Sequence, residues 1–445
     1  MTSKLAIVVL AAGQGTRMKS ALPKVLHRIG GRPMLAHVLE AARKLSPARI
    51  VVVRAAGTDA VAELATEWGA ETVVQERQLG TGHAVLAAEA LLKGFDGDVL
   101  ILFGDSPLLT SKTLRRLLDR LKSASMAALG FRAADPTGYG RMIADGDILK
   151  RIVEEKDATP AERGVNLCFA GMLAANAGAL LGILRKVGNK NAQGEFYLTD
   201  AIALGREAGL TCAVVEGDEA EMLGVNSRAQ LGLAEAAFQA RKRTELMEAG
   251  VSFAAPETVF LSADTVIEAD VVIGPYVVIG PGVTIRSRAE IRAFSHLEGA
   301  EVGEDTIVGP YARLRPGTVL EKNVHVGNFC EVKNARLEEG AKVNHLSYVG
   351  DARVGAESNI GAGTITCNFD GEAKHFTDIG SNAFIGSDTT LVAPVKVGDG
   401  AYVAAGSTIT DNVDPDALAI ARGRQVTKPG RAKAMRAKRD AKDKT

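Results

Sequence analysis

The sequence predicts two folded parts of different class: a doubly wound α/β domain and, after one helix, a parallel β-helix of hexapeptide repeats. Three observations carry this. Residues 1 to about 228 alternate short apolar runs with helix-like stretches. A run of good helix formers follows. Beyond it, apolar residues recur every six positions in three long series.

In the first part, Leu5–Leu10, Ile50–Val53 and Val99–Phe103 are continuous apolar runs, as parallel strands buried on both faces should be. Pro33–Leu45, Asp59–Trp68 and Ala84–Leu92 read as helices between them. This alternation predicts a doubly wound sheet, in which ligands sit beyond the carboxyl ends of the strands. The segments after Leu10 and after Phe103 occupy that place. Gly13-Gln14-Gly15-Thr16-Arg17 follows the Leu5–Ala12 run with no cleavage site, so the run is read as a strand and not as a targeting segment.

The stretch from Arg228 to about Gly250 is rich in Ala, Leu, Glu, Gln, Arg and Lys, all good helix formers. It reads as one connecting helix about 30 Å long at 1.5 Å per residue. The expected limits are a first domain 1–228, a linker helix 229–249, and a second domain 250–445 that ends in a basic tail.

In the second part the period becomes six. Ile267, Ile273, Ile279, Ile285, Ile291 and Leu297 form one series, and Val302, Val308, Leu314, Leu320, Val326 and Val332 another. Val343 and Val349, then Val354 and Ile360, continue it; Ile379, Ile385, Leu391, Val397, Val403 and Ile409 form a third. Glycine often follows the apolar residue, as at Gly274, Gly280, Gly327 and Gly398, and reads as tight corners. A six-residue apolar period with glycine is the signature of a parallel β-helix. Three hexads make a triangular coil, so roughly 140 residues give about eight coils. Between Thr366 and Ile379 the period lapses, which predicts a loop leaving one face, often the binding face.

Composition narrows the function. Lys+Arg and Asp+Glu are both 53, and aromatics are 4%. Neither a polyanion binder nor a base-stacking platform is expected from that balance, so no nucleic-acid partner is expected. No apolar run approaches the ~18 residues of a membrane span, so no membrane insertion is expected. Cys168, Cys212, Cys330 and Cys367 fit no zinc spacing and no disulfide scaffold, and a reducing cytoplasm is the simplest compartment. From Arg422 to Thr445 ten Lys/Arg face two Asp. This tail reads either as a solvated, partly disordered end or as a segment whose first residues meet an anionic ligand.

Two motifs carry candidate chemistry. Leu10-Ala11-Ala12-Gly13-Gln14-Gly15-Thr16-Arg17-Met18, with Pro23-Lys24 beyond, is neither a P-loop nor a dinucleotide fingerprint. The loop from Ala11 to Arg32 is long for one preceding a helix, and such loops are usually functional. Gly13 and Gly15 allow close backbone approach, and Arg17 and Lys24 are cations suited to a triphosphate. The second motif is Phe103-Gly104-Asp105 at a strand end, where a carboxylate can hold Mg²⁺ opposite a phosphate loop. Taken singly, both also read as plain turns.

Taken together they resemble a family. The Leu-x-Ala-Gly-x-Gly-Thr-Arg-Met…Pro-Lys segment, Gln75…Gln78-Leu79-Gly80-Thr81-Gly82-His83-Ala84, Gly104-Asp105, Asp135-Pro-Thr-Gly-Tyr-Gly-Arg141, Asn191-Ala-Gln-Gly-Glu-Phe-Tyr-Leu-Thr-Asp200 and Gly224-Val-Asn226 come first. Arg313-Leu-Arg-Pro-Gly317, His345-Leu-Ser-Tyr-Val-Gly-Asp351 and Asn359-Ile-Gly-Ala-Gly-Thr-Ile-Thr-Cys-Asn368 follow in the second half. Over nearly the whole chain they resemble the bacterial bifunctional N-acetylglucosamine-1-phosphate uridyltransferases / glucosamine-1-phosphate acetyltransferases. The resemblance implies a Rossmann-like nucleotidyltransferase domain, a left-handed β-helix, a homotrimer with acetyltransferase sites between subunits, and Mg²⁺ as cofactor. It implies the substrates UTP, acetyl-CoA, glucosamine 1-phosphate and N-acetylglucosamine 1-phosphate.

The resemblance also assigns residues. Leu10, Ala11, Ala12, Gly13, Lys24, Gln75, Gly80, Thr81, Phe103, Gly104, Asp105, Gly140, Glu154, Phe169 and Asn226 match positions around the UDP-sugar, with Asp105 and Asn226 as Mg²⁺ ligands. Arg17 and Lys24 would neutralise charge on the leaving pyrophosphate. His345 matches a general base, a task that suits an imidazole titrating near neutrality. Arg315, Lys333, Tyr348 and Asn359 match sugar-phosphate contacts; Asn368, Phe369, Ser387, Ala405 and Arg422 match acetyl-CoA contacts. Three positions depart from the family. Phe369 and Phe103 stand where the family usually has Tyr. Phe169 stands where it has an Asn that contacts the acetamido sugar, and Asn166 lies three residues upstream. This last departure bears on sugar selectivity. It leaves open a related nucleotidyltransferase fused to an acyltransferase for another sugar; a purely structural β-helix is the other alternative.

Overall fold

The computed structural model describes residues 4–442. Contacts divide the chain into two compact units, Met1–Thr244 and Glu245–Thr445.

The first unit is built on a nine-stranded sheet. Its strands run in the order Glu71–Gln75, Arg49–Ala55, Lys4–Ala11, Gly97–Phe103, Leu167–Asn176, Met126–Arg132, Cys212–Glu216, Ile148–Val153, Arg141–Asp145. The first four are parallel. Leu167–Asn176 runs antiparallel to both its neighbours, so the sheet is mixed. Lys4–Ala11 shows why apolar runs marked these strands: Ala6 and Val8 enter the core on one face, Ile7 and Val9 that on the other, as side-chain alternation dictates. Helices form over Met34–Arg43 and Asp59–Glu67. The helix expected over 84–92 is instead two pieces, Thr81–Ala87 and Glu89–Leu92. The long loop after the first strand folds into two 3-10 turns, Thr16–Met18 and Lys24–Leu26, and a hairpin pairing Arg28–Ile29 with Arg32–Pro33.

The connecting helix spans Arg228–Glu248, and the boundary between the units falls inside it. On the first unit, Glu235 Oε2 accepts from the Gly30 N–H at 2.8 Å and Arg241 donates to the Leu108 carbonyl at 2.7 Å.

The second unit is a left-handed parallel β-helix. Every hexad residue named above is buried in one continuous core. On one face Ile273, Ile291, Val308, Val326, Val343, Ile360, Ile385 and Val403 stack in register, within a ten-stranded sheet. That is more than the eight coils expected, because the stacking begins before the hexad pattern, at Ser252–Phe253, and continues to Leu418–Ala419.

The corners are not built as the glycines suggested. Left-handed backbone falls largely on Asp270, Tyr276, Arg288, Phe294, Asp305, Tyr311, Asn323 and Phe329. The hexad glycines are needed for space. A Cβ on Gly274 would lie 2.7 Å from the backbone nitrogen of Ala293 in the next coil, and one on Gly327 would meet the Asn344 carbonyl. The lapse in the period is a loop after Ile365–Cys367, with Phe369 bridged to Lys374, before the chain re-enters at Thr377–Ile379.

The tail carries a helix over Arg431–Lys442, as its Ala, Lys, Arg and Met content favours. Its side chains from Arg431 to Arg439 are exposed; the tail's last residues, 443–445, lie outside the described residues. Among the described residues no helix is long and apolar enough to cross a membrane.

Candidate functional site

A cavity of about 600 Å³ opens beyond the carboxyl ends of the central strands of the first unit. Leu10, Ala11, Ala12, Gly13, Lys24, Gln75, Gly80, Thr81, Phe103, Asp105, Gly140, Glu154, Phe169 and Asn226 all line it. Two expected residues do not. Gly104 ties the strand ends together, its N–H donating to the Leu10 carbonyl at 2.9 Å. A side chain there would be tightly packed, because a Cβ would lie 3.2 Å from Val25 and 3.3 Å from that carbonyl. Arg17 is exposed on its turn: Met18 is buried and its carbonyl is held by Arg228 at 3.3 Å, which turns Arg17 outward.

The walls are fixed by long-range backbone contacts. The Gly82 N–H donates to the Phe196 carbonyl and the Phe196 N–H to the Leu79 carbonyl, both at 2.8 Å. Gly80 sits between them with φ +115°, and a Cβ there would lie 2.7 Å from the Phe196 nitrogen. The Thr81 hydroxyl accepts from the Leu198 N–H at 2.9 Å. Gln75, buried, donates to the Gly80 carbonyl at 3.2 Å, and Gln78 donates to the Ala12 carbonyl at 2.7 Å. Opposite, the Phe169 N–H donates to the Gly140 carbonyl at 2.8 Å. A Cβ on Gly171 would lie 3.0 Å from the Phe103 ring. Phe103 and Phe169 thus give this part of the cavity an apolar lining.

Two polar groups stand out. The Lys24 ammonium is ion-paired with Asp105 and donates to Asn226 Oδ1 at 2.9 Å. Glu154 accepts from the Thr199 hydroxyl at 3.1 Å. Burial, with Asp200, Asp157 and Glu195 nearby, pushes its carboxyl above the ordinary glutamate range. Gln193, Glu195, Tyr197 and Thr199 also line the cavity. They were part of a resembling stretch but were not assigned a role, because the segment has neither a strand nor a helix period.

Asp105 and Asn226 were expected to hold a divalent cation, and the fit can be judged from Lys24. Two side-chain oxygens from distant parts of the chain already hold one cation between them. Among the described residues no cluster of three or more His, Cys, Asp or Glu could hold a metal. One carboxylate and one amide suit Mg²⁺, which keeps waters and takes substrate phosphate oxygens for its remaining positions.

In the second unit the expected residues lie on two successive corners of the coil, the face between them and the face before the first. On one corner, backbone bonds stack His345 beneath Gly363, Ala362 beneath Asp388 and Ser387 beneath Gly406. Arg422 donates to the Ala405 carbonyl at 2.6 Å. His345, Ser387, Ala405 and Arg422 therefore share one column, and His345 to Ala405 is three coil steps, roughly 14 Å at about 4.8 Å per step. His345 Nδ1 lies 2.8 Å from Asn328 Oδ1 in the coil below. An amide oxygen only accepts, so with Oδ1 facing the ring Nδ1 carries the hydrogen, and in the neutral imidazole the lone pair falls on Nε2. Sequence reasoning did not single out Asn328; its pairing opposite His345 in the strand register is the signal.

At the next corner Arg315 pairs with Glu331 at 2.8 Å. Lys333 stands beside Lys374 of the inserted loop, and a hydrogen bond with that side chain, then its like charge, lowers the Lys333 ammonium below its ordinary value. Asn368 donates to the Tyr348 hydroxyl at 3.4 Å and bonds Asp351, which also accepts from Asn334 at 2.6 Å. Asn359 lies on the strand face before the His345 column and Tyr348 on the face after it. Phe369 is exposed on the inserted loop.

Comparison with known proteins agrees with this division. The MobA-like NTP transferase domain family matches residues 7–179, and the bacterial transferase hexapeptide family matches 264–299, 299–334 and 376–411. A protein of Ruegeria sp. (strain TM1040) named "Bifunctional protein GlmU" is 56% identical over 99% of this chain and 99% of its own length. Proteins of the same name from Jannaschia sp. (strain CCS1) and Sphingopyxis alaskensis are 54% and 55% identical, covering 99% and 100% of this chain and 98% and 100% of theirs.

Proposed function

The chain belongs to the GlmU family of bifunctional proteins, and from that premise we propose which residues perform each of its two reactions. The enzyme is both a uridyltransferase and an acetyltransferase, one activity fitting each unit. It acetylates glucosamine 1-phosphate from acetyl-CoA, then transfers uridylyl from UTP to N-acetylglucosamine 1-phosphate with release of pyrophosphate. Its product is UDP-N-acetylglucosamine, made in the cytoplasm for the cell envelope.

The observation that carries the residue assignment is the convergence of Lys24, Asp105 and Asn226, from three distant parts of the chain, in one cavity at the strand ends. Uridylyl transfer needs position and charge neutralisation more than proton transfer. The Gly13 loop leaves room for phosphates, with nothing within 4 Å of a Cβ at Gly13. Lys24 neutralises charge on them, and Arg17 adds a second positive charge from the exposed turn of the same loop. Gly140, Glu154 and Phe169 orient the sugar. Mg²⁺, held by Asp105 and Asn226, would neutralise phosphate charge during the transfer.

For acetyl transfer, the amine of glucosamine 1-phosphate attacks the thioester carbonyl, His345 Nε2 takes the amine proton and the CoA thiolate leaves. Arg315 and Lys333 face the sugar phosphate, with Tyr348 and Asn359 on the faces flanking the His345 column. The extended CoA follows that column through Ser387 and Ala405, where Arg422 meets its phosphates; Asn368 and Phe369 close over it. The reading includes a homotrimer with this site between copies. Tyr276, Phe294, Tyr311 and Phe329, exposed and stacked at 4.8–5.2 Å, offer apolar area for a partner on the same corner as His345. The test is to supply glucosamine 1-phosphate, acetyl-CoA, UTP and Mg²⁺ and identify the products for wild type, Asp105→Ala and His345→Ala, with light scattering for the oligomer. Asp105→Ala should stop at N-acetylglucosamine 1-phosphate, whereas His345→Ala should lose acetylation and keep uridylyl transfer when N-acetylglucosamine 1-phosphate is supplied directly. Loss of both reactions from either folded variant overturns the assignment.

A further inference from the structure

Lys24 sits where the metal would. Its ammonium pairs with Asp105 and lies 2.9 Å from Asn226 Oδ1, and the two paired side chains are only 11% and 13% exposed. All three residues are anchored. Lys24 opens a 3-10 turn behind Pro23. The Asp105 carbonyl accepts from the Val225 N–H at 3.0 Å, which places the neighbouring Asn226, and the Asn226 N–H is held by Gln230 Oε1 at 2.8 Å.

An ammonium and a divalent cation cannot both use this pair of oxygens. Mg²⁺ binds oxygen at about 2.0–2.1 Å, so on the same oxygens it would lie within a few ångströms of the ammonium, with the single negative charge of Asp105 set against three positive ones. One cation must leave before the other enters. Lys24, displaced alone, would leave the largely buried Asp105 carboxylate without its charged partner, a costly change. With a nucleotide present, the phosphates give the ammonium a new partner and give the metal further oxygens. Resting on the assignment of Asp105 and Asn226 to the metal, we infer that Lys24 is a built-in cation that plugs the metal site until a nucleotide arrives. Metal and nucleotide binding are therefore coupled, each raising affinity for the other by the same factor, and metal alone is held off.

The test measures Mn²⁺ binding to the full chain, without nucleotide, by the loss of the free-ion paramagnetic resonance signal. Mn²⁺ is used because it shares the oxygen-ligand preference of Mg²⁺. Lys24→Met is expected to bind Mn²⁺ at least ten-fold more tightly than wild type, and Lys24→Met/Asp105→Asn to lose that gain. Mn²⁺ should raise the melting temperature of Lys24→Met and leave that of wild type unchanged. Lys24→Gln, which keeps a hydrogen-bond donor and removes the charge, should gain affinity too and covers the case in which Lys24→Met does not fold. Equal Mn²⁺ affinity in wild type and both variants overturns the plug. A wild-type control with UDP-N-acetylglucosamine separates this failure from that of the metal reading. If Mn²⁺ then binds and Asp105→Asn abolishes it, the metal assignment stands and only the plug falls. If Asp105 is irrelevant to Mn²⁺ in every state, both fall.

Discussion

Asn328 offers a direct measure of how the solenoid sets up its base. The bond from His345 Nδ1–H to Asn328 Oδ1, 2.8 Å long, selects the tautomer with a lone pair on Nε2. Such a bond is worth about 0.5–1.5 kcal/mol net. At 1.36 kcal/mol per decade that is about 2- to 13-fold in rate. Asn328→Ala should therefore lower the kcat of acetyl transfer by about that factor, with little change in KM, because the residue acts through His345. His345→Ala should lower it by about 10²–10⁴-fold. The double variant should be no slower than His345→Ala alone, since residues acting as one unit are not additive. Asn328→Asp keeps an acceptor and should restore most of the rate. The assay is thiol release from acetyl-CoA at saturating glucosamine 1-phosphate, with uridylyl transfer as the control. If Asn328→Ala slows the His345→Ala enzyme by the same factor as wild type, the two residues act independently and the tautomer argument is wrong.

Glu154 gives a pH-dependent outcome. Its carboxyl is raised above the ordinary range by burial, so its favourable contribution is complete below the unfolded value and is lost as pH rises through the folded one. Melting curves across that window should show Glu154→Gln gaining stability over wild type as pH rises; a constant difference would refute this. Arg422→Ala should raise the KM for acetyl-CoA about ten-fold or more and leave uridylyl transfer unchanged; an unaltered KM would return Arg422 to a solvated tail. Gly274→Ala, whose Cβ must displace the Ala293 backbone, should destabilise the β-helix by about 1–3 kcal/mol in denaturant titrations. For Phe169→Asn, the ratio of kcat/KM for N-acetylglucosamine 1-phosphate over glucose 1-phosphate should change little, on the proposal that other polar groups lining the cavity take over the sugar's contacts. A wild-type ratio near one would overturn the sugar named above, an apolar pocket alone discriminating by only about 10–200-fold.

The β-helix was legible almost residue by residue, because each buried hexad position repeats the same local environment. What the period concealed was why glycine recurs. Gly274 and Gly327 answer to the coil stacked against them, a contact 17 or more residues away that no local turn rule contains. In the first unit the strand ends were legible from Leu10 and Phe103, since both-face burial leaves a continuous apolar run. The insertion of Leu167–Asn176 antiparallel into the sheet was not, because an apolar run carries no direction. Arg17 and Lys24 looked alike in sequence as cations of one glycine-bearing loop. Burial of Met18 turned one outward, while the oxygens of Asp105 and Asn226 drew the other in.

The two units differ in how a site is assembled, and this fixes where substitutions should be felt. At the cavity, three residues separated by 81 and 202 positions meet at one ammonium, and the Val225–Asp105 backbone bond ties the segment before the connecting helix to the loop after Phe103. A change at any of these elements moves a charge or an oxygen against the other two, so effects there should be cooperative. Along the β-helix, each coil touches its neighbours alone, and stability adds coil by coil. His345 depends on the coil holding Asn328, and Arg422 on the coil holding Ala405. The column can therefore tolerate the inserted loop at Asn368–Phe376, since an outward excursion lengthens one coil and leaves the stacking of the others intact. The loop also brings Lys374 beside Lys333. Asp351 lies near both ammoniums, so the two cations share one carboxylate, and an arriving sugar phosphate would supply the negative charge they still lack.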